Sequence, residues 1–180
     1  MKKSRLIGCL IGLIMIIPSG MFGQLKIGYI DSNRIMQEYE EVRDAQAKLE
    51  KETRRLQVEY NTYVERLDSL NREFERQRLL LSNEKIREKE QEIQSLYQST
   101  QAFQQSKFGP EGELYRYQAQ LMAPVLDKVD AAVKKIGAER SFDYIVDAAG
   151  GALVYALPAH DLTDDVIAEL RRSAAPKQPQ

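Results

Sequence analysis

Apolar residues in this chain follow two different periods. Over Leu25-Lys26-Ile27-Gly28-Tyr29-Ile30-Asp31 they alternate with polar ones in a span rich in β-formers, which predicts a strand. Ser32 or Asn33 then caps a helix, and the period becomes seven: Ile35, Val42, Leu49, Leu56, Tyr63 and Leu70 make one row. Four residues on from each lie Tyr39, Gln46, Thr53, Tyr60, Leu67 and Phe74, and Leu81 continues that second row. Two such rows form the apolar seam of a coiled coil, loose near its start at Gln46 and Thr53 and tight from Leu67 to Leu81. No glycine or proline occurs in the 80 residues from Tyr29 to Phe108, so no helix breaker interrupts the pattern.

The seam loses register around Leu79-Leu80-Leu81-Ser82-Asn83-Glu84, where Ser82 and Asn83 are helix-capping types. A new row starts at Ile86, Ile93, Leu96 and Phe103. This predicts an antiparallel helical hairpin with its tip near 79–84 and limbs of about 50 residues, roughly 75 Å each. The alternative is one continuous helix that dimerises through its heptads. Gly109-Pro110, Gly112 and Pro124 predict kinks or short breaks in the returning limb, which resumes through Val125, Val129, Ala132, Val133 and Ile136 and stops at Gly137. Phe142 to Asp147 and Ala152 to Ala156, joined through Ala148-Ala149-Gly150-Gly151, predict a β-hairpin. Thr163 caps a last helix with Val166, Ile167 and Leu170 on its apolar face, and 173–180 reads as a flexible tail.

The first residues change the picture of where the chain works. Lys2, Lys3 and Arg5 precede a 12-residue apolar stretch, Leu6 to Ile17, that ends at Pro18-Ser19-Gly20. Such a stretch is too short for a bilayer core of about 30 Å, so 1–23 is expected to be a cleaved export signal, cut between Gly20 and Gly23. Cys9 lies inside the apolar stretch and not after it, where a lipid-receiving cysteine belongs. Without the signal, 23 basic residues face 27 acidic ones, a net charge of −4, and the only cysteine is gone. That balance argues against nucleic-acid binding, and a chain with no cysteine suits an oxidising compartment. One His and no Cys exclude a metal-ligand cluster or a Cys/His nucleophile pair, so no metal, cofactor or catalytic residue is expected. Asp143 and Asp147 share a strand face, the spacing of an acid–base pair, but such residues more often end or cap a strand. His160 is expected in an exposed loop.

Strand, helical hairpin, β-hairpin and short helix thus follow one another. Ile27-Gly28-Tyr29-Ile30-Asp31 stands before the arm, and Phe142-Asp143-Tyr144-Ile145-Val146-Asp147 and Asp161-Leu162-Thr163-Asp164-Asp165-Val166-Ile167 after it. In that order and in those segments the chain resembles the Skp/OmpH family of periplasmic chaperones, across essentially all of its length after the signal. The resemblance implies an α+β fold in which a long antiparallel coiled-coil arm, 32–137, projects from a small β body, 24–31 with 138–172, that is completed by trimerisation. It implies an ATP-independent periplasmic holdase, with unfolded outer-membrane β-barrel proteins held in a cavity between three arms. Ile27, Tyr29, Ile30, Tyr144, Ile145, Val146, Val154 and Tyr155 would form the trimer body. Tyr97, Phe103, Phe108, Tyr115 and Tyr117, near the expected kink, would touch the client, whereas heptad spacing puts Tyr63 and Phe74 between the limbs. No stable membrane insertion follows once the signal is removed. Better-known members of the family are strongly basic, and this chain is slightly acidic, so charge is a poor candidate for client capture. A second reading of the same pattern is a structural envelope protein that uses its hairpins as spacers or tethers.

Overall fold

The computed structural model describes residues 25–174; the expected signal segment and the last six residues lie outside them. Strand β1 (Ile27–Ile30) leads into α1 (Ser32–Glu38), then α2 (Glu40–Gln77), α3 (Asn83–Phe108), α4 (Glu113–Glu139), β2 (Tyr144–Asp147) and α5 (Thr163–Ala174). Asp31 caps α1, not Ser32 or Asn33. Asp31 is still extended, and its carboxylate accepts the Arg34 N–H at 3.1 Å, while Ser32 is already helical. At Tyr39 the backbone turns extended and separates α1 from α2 with no glycine or proline present. The turn buries the Tyr39 ring, and Glu40 and Glu41 then occupy the first turn of α2, where carboxylates suit the positive end of the helix dipole.

α2 runs 38 residues, roughly 57 Å at about 1.5 Å per residue. A single 3₁₀ turn, Arg78–Leu80, follows it, and the Ser82 hydroxyl accepts the Lys85 N–H at 3.4 Å to start α3. The chain therefore reverses at the expected tip and is not one continuous helix. α3 and α4 return along α2, separated by a turn at Gly109–Gly112 in which the Gly112 N–H donates to the Gly109 carbonyl at 2.8 Å. Pro124 does not break α4. It lies on the exposed face together with Gln120, whose carbonyl its ring leaves without an intrahelical donor. α4 also continues past Gly137 to Glu139, because Gly137 is a packing point and not a stop: a Cβ there would lie 3.0 Å from the Ile145 side chain.

β2 pairs parallel with β1, Ile27 opposite Tyr144 through Ile30 opposite Asp147. The expected β-hairpin does not form. β1 takes the place of 152–156 as partner to Tyr144–Asp147, and Val154 and Tyr155 are left 96% and 79% exposed. Parallel strands need a long crossover, and here the whole helical arm supplies it. On its other side β1 meets the start of α5, where the Leu162 N–H donates to the Tyr29 carbonyl at 2.8 Å. Gly28 lets Leu162 and Phe142 close over the strand, since a Cβ would lie 2.8 Å from a Leu162 methyl carbon. Thr163 is the first helical residue of α5 and not its cap. The Asp161 carboxylate accepts the Thr163 N–H at 2.9 Å, and the Thr163 hydroxyl accepts the Asp31 N–H at 2.9 Å, which ties α5 to the start of α1.

Both seam rows face inward except for one residue, Gln46, which is exposed. The grading along them is the reverse of the expected one. Ile35, Tyr39, Val42 and Leu56 are buried near the start, while Tyr63, Leu67, Leu70 and Leu81 are only half-buried and Phe74 alone is buried towards the tip. Near the root, α1, α2, α4 and α5 surround one core; beyond it, α2 has only the returning limb beside it.

Candidate functional site

At the break in the returning limb, two aromatics of α2 meet two of α3. The Phe103 ring lies 5.2 Å from Tyr63 and 6.4 Å from Tyr60, and Phe108 lies 6.1 Å from Tyr60 and 6.5 Å from Phe103. These are separations at which ring pairs attract. Two of the expected client-contact residues, Phe103 and Phe108, thus sit in a half-buried cluster between the limbs. Charges strap the same region. Lys107 pairs with Glu113 across the break, and Arg55 reaches Glu52 at 2.6 Å and Glu113 at 3.9 Å. The hydrogen bond from Arg55 holds the Glu52 carboxyl below its ordinary range.

The other three contact candidates do not join this cluster. Tyr97 on α3 and Tyr115 on α4 are exposed, and Tyr117 is half-buried. Sequence reading missed Val58 and Val64, both exposed on α2. Their signal was present: each is an apolar residue that belongs to neither heptad row.

On the body, the residues expected to join copies are divided. Ile30 is in the core, while Tyr29, Ile145 and Val146 are half-buried. Ile27, Tyr144, Val154 and Tyr155 are exposed, with Leu157 beside them in sequence. β1 is covered on both sides, so the open hydrogen-bonding edge of the described sheet belongs to β2. Open edges of this kind are templates for pairing with another strand.

The charged groups of the body are structural. Asp143 accepts the Lys26 N–H at 2.7 Å, and Asp147 accepts the Ser32 N–H at 3.1 Å and the Ala149 N–H at 3.0 Å. Burial pushes the Asp147 carboxyl up, but these hydrogen bonds outweigh it and hold the group below its ordinary value. The two carboxylates therefore close strand ends and do not form an acid–base pair. His160 is half-buried and not free in a loop: its Nδ1–H donates to the Ile27 carbonyl at 2.8 Å, edge-on to Phe142. Glu169 on α5 pairs with Lys135 on α4 at 2.6 Å, and that hydrogen bond holds its carboxyl below the ordinary value. Burial pushes the Tyr39 phenol up to about 12, with the nearby Glu41 carboxylate adding to the shift. No cluster of three or more metal-ligating side chains occurs among the described residues. At the tip, Lys85 pairs with Glu88 at 2.5 Å and Lys89 with Glu92 at 2.9 Å, a mixed-charge solvated surface. Leu79 and Leu80, 96% and 87% exposed, project from its end.

The family model described as outer membrane protein (OmpH-like) matches residues 26–170. The crystal structure of a proposed outer membrane chaperone (OmpH-like) from Caulobacter crescentus CB15 superposes with a TM-score of 0.74, at 15% identity, over 83% of this chain and 86% of that one. At that identity the likeness is one of fold. No curated protein matches the chain.

Proposed function

Because the chain belongs to the OmpH-like outer membrane protein family, chaperones and not enzymes, we propose that it is an ATP-independent periplasmic holdase for unfolded outer-membrane β-barrel proteins. Three copies join through the β body, and their arms enclose the space in which the client is held. The observation that carries this reading is the unfinished body. A two-stranded sheet is marginal by itself, and this one leaves the β2 edge open with Tyr144 exposed, followed by exposed Val154, Tyr155 and Leu157. Such surface is stable once a second copy covers it. The boundary between body and arm follows from the same division: 24–31 with 138–172 join copies, and 32–137 reach around the client.

Holding without turnover also suits the arm. Tyr97, Tyr115, Val58 and Val64 offer scattered apolar contacts in a mixed-charge surface, and many weak, non-directional contacts retain a chain of any sequence. The Phe103–Phe108 cluster stiffens the arm at its break and meets the client only through its half-exposed rim. No described helix is long and apolar enough to cross a membrane, which fits a client carrier working between two membranes. The test is aggregation of a denaturant-unfolded β-barrel protein on dilution. Light scattering should be suppressed at about one trimer per client, equally with and without ATP. Scattering unchanged by the protein would leave the spacer reading in its place.

A further inference from the structure

Gln46 is the one seam residue that the fold leaves outside, and a gap remains where an apolar side chain would have filled the row. The gap is a groove of about 170 Å³ between α2 and α4 at the root of the arm. Val42 is buried at its floor, Leu49, Leu121, Met36 and Met122 are half-buried along its walls, and Gln118 stands with Gln46 at its rim. No charged residue lines it. An apolar cavity of about 150 Å³ accepts a benzene ring, so the volume suits one large side chain.

We propose that this groove is a side-chain pocket that takes one aromatic or branched aliphatic residue of an unfolded client, with the Gln46 and Gln118 amides meeting the client's backbone. The proposal rests on the holdase reading above and names where on the arm a client is gripped. An uncharged lining gives no hold to a phosphate or a lipid headgroup. A one-residue groove falls far short of the roughly 1,200 Å² that a stable contact between folded copies buries. Unfolded chain offers what the groove lacks: an unburied apolar side chain flanked by unpaired N–H and C=O groups. Methionine walls suit a ligand whose identity varies, since the unbranched thioether reshapes at little cost.

Gln46→Leu fills the gap from within. The variant should melt at a higher temperature than the wild type and keep its mass in solution, yet bind an unfolded β-barrel protein about tenfold more weakly, the loss expected when one buried apolar side chain goes unseated. Gln46→Ser, which removes the amide but leaves the groove open, should lose less affinity than Gln46→Leu. Equal client affinity for Gln46→Leu and wild type would overturn the proposal. A change of mass in Gln46→Leu would overturn it too, by giving the groove to a contact between copies. Wild-type protein supplies a second readout that needs no client: N-acetylphenylalanine amide should shift the methyl resonances of Met36 and Met122, and unmoved methyls would sink the pocket. If the wild type protects no client while those methyls shift, the pocket stands and the holdase reading falls.

Discussion

The root of the arm and its distal half carry the same heptad pattern and are held together by different means. In the root, Ile35, Val42, Val125 and Ile136 pack with Val166 and Leu170, so each seam residue has neighbours from several elements. In the distal half the same row positions, Tyr63, Leu67 and Leu70, meet one returning helix and stay half-buried. A heptad row states which face of a helix is apolar; how many partners cover that face decides what the row contributes. The lesson matters for function, because an arm anchored at one end and lightly held along its length is suited to adjusting around a client.

Substitutions should separate the two regions most at the root. Ile35→Ala empties a fully buried site and should cost about 2–5 kcal/mol of unfolding free energy by denaturant titration. Leu67→Ala, half-buried in the distal seam, should cost only about 1 kcal/mol, because less apolar surface returns to water. Equal losses at the two positions would erase the comparison.

Acid should weaken the root selectively. The Glu169 carboxyl, held down by its hydrogen bond from Lys135, binds a proton less readily in the folded chain than at its ordinary value of 4.5. Its contribution is therefore complete above that value and is lost as pH falls through the lower folded one. Lys128 holds Glu41 down in the same sense. Thermal melts between pH 6 and pH 3 should show a fall that Lys135→Met reduces; an unchanged acid slope in that variant would remove the pair from the account. The smallest effect belongs to the tip. Leu79→Ser with Leu80→Ser touches nothing buried and should leave stability within about 0.5 kcal/mol of the wild type.

Much of this architecture was legible, for a physical reason. Period seven from Ile35 to Leu81, inside 80 residues without glycine or proline, reports a face, and the seam residues other than Gln46 lie on it. Ser82 announced the tip because a capping hydroxyl acts within three residues of itself. What escaped depended on distant partners. The break at Tyr39 follows from burial of its ring in a core built by α4 and α5, and nothing local marks it. Tyr144–Asp147 pairs with a strand more than a hundred residues earlier, so local alternation suggested the wrong partner at 152–156. The aromatic candidates divided for the same reason: Phe103 and Phe108 found Tyr60 and Tyr63 across the hairpin, whereas Tyr97 and Tyr115 found water. Spacing alone did not distinguish them.

The central claim is a division of labour in which the body joins copies and the arms hold the client. It is tested most directly by mass in solution, measured by light scattering for the full chain and for a chain whose residues 66–98 are replaced by a short glycine turn, each with and without an unfolded β-barrel protein. The account predicts three copies in both proteins, with the client held more weakly by the shortened chain than by the full one. A shortened chain that runs as a monomer, or one that binds the client as fully as the intact chain does, would contradict it.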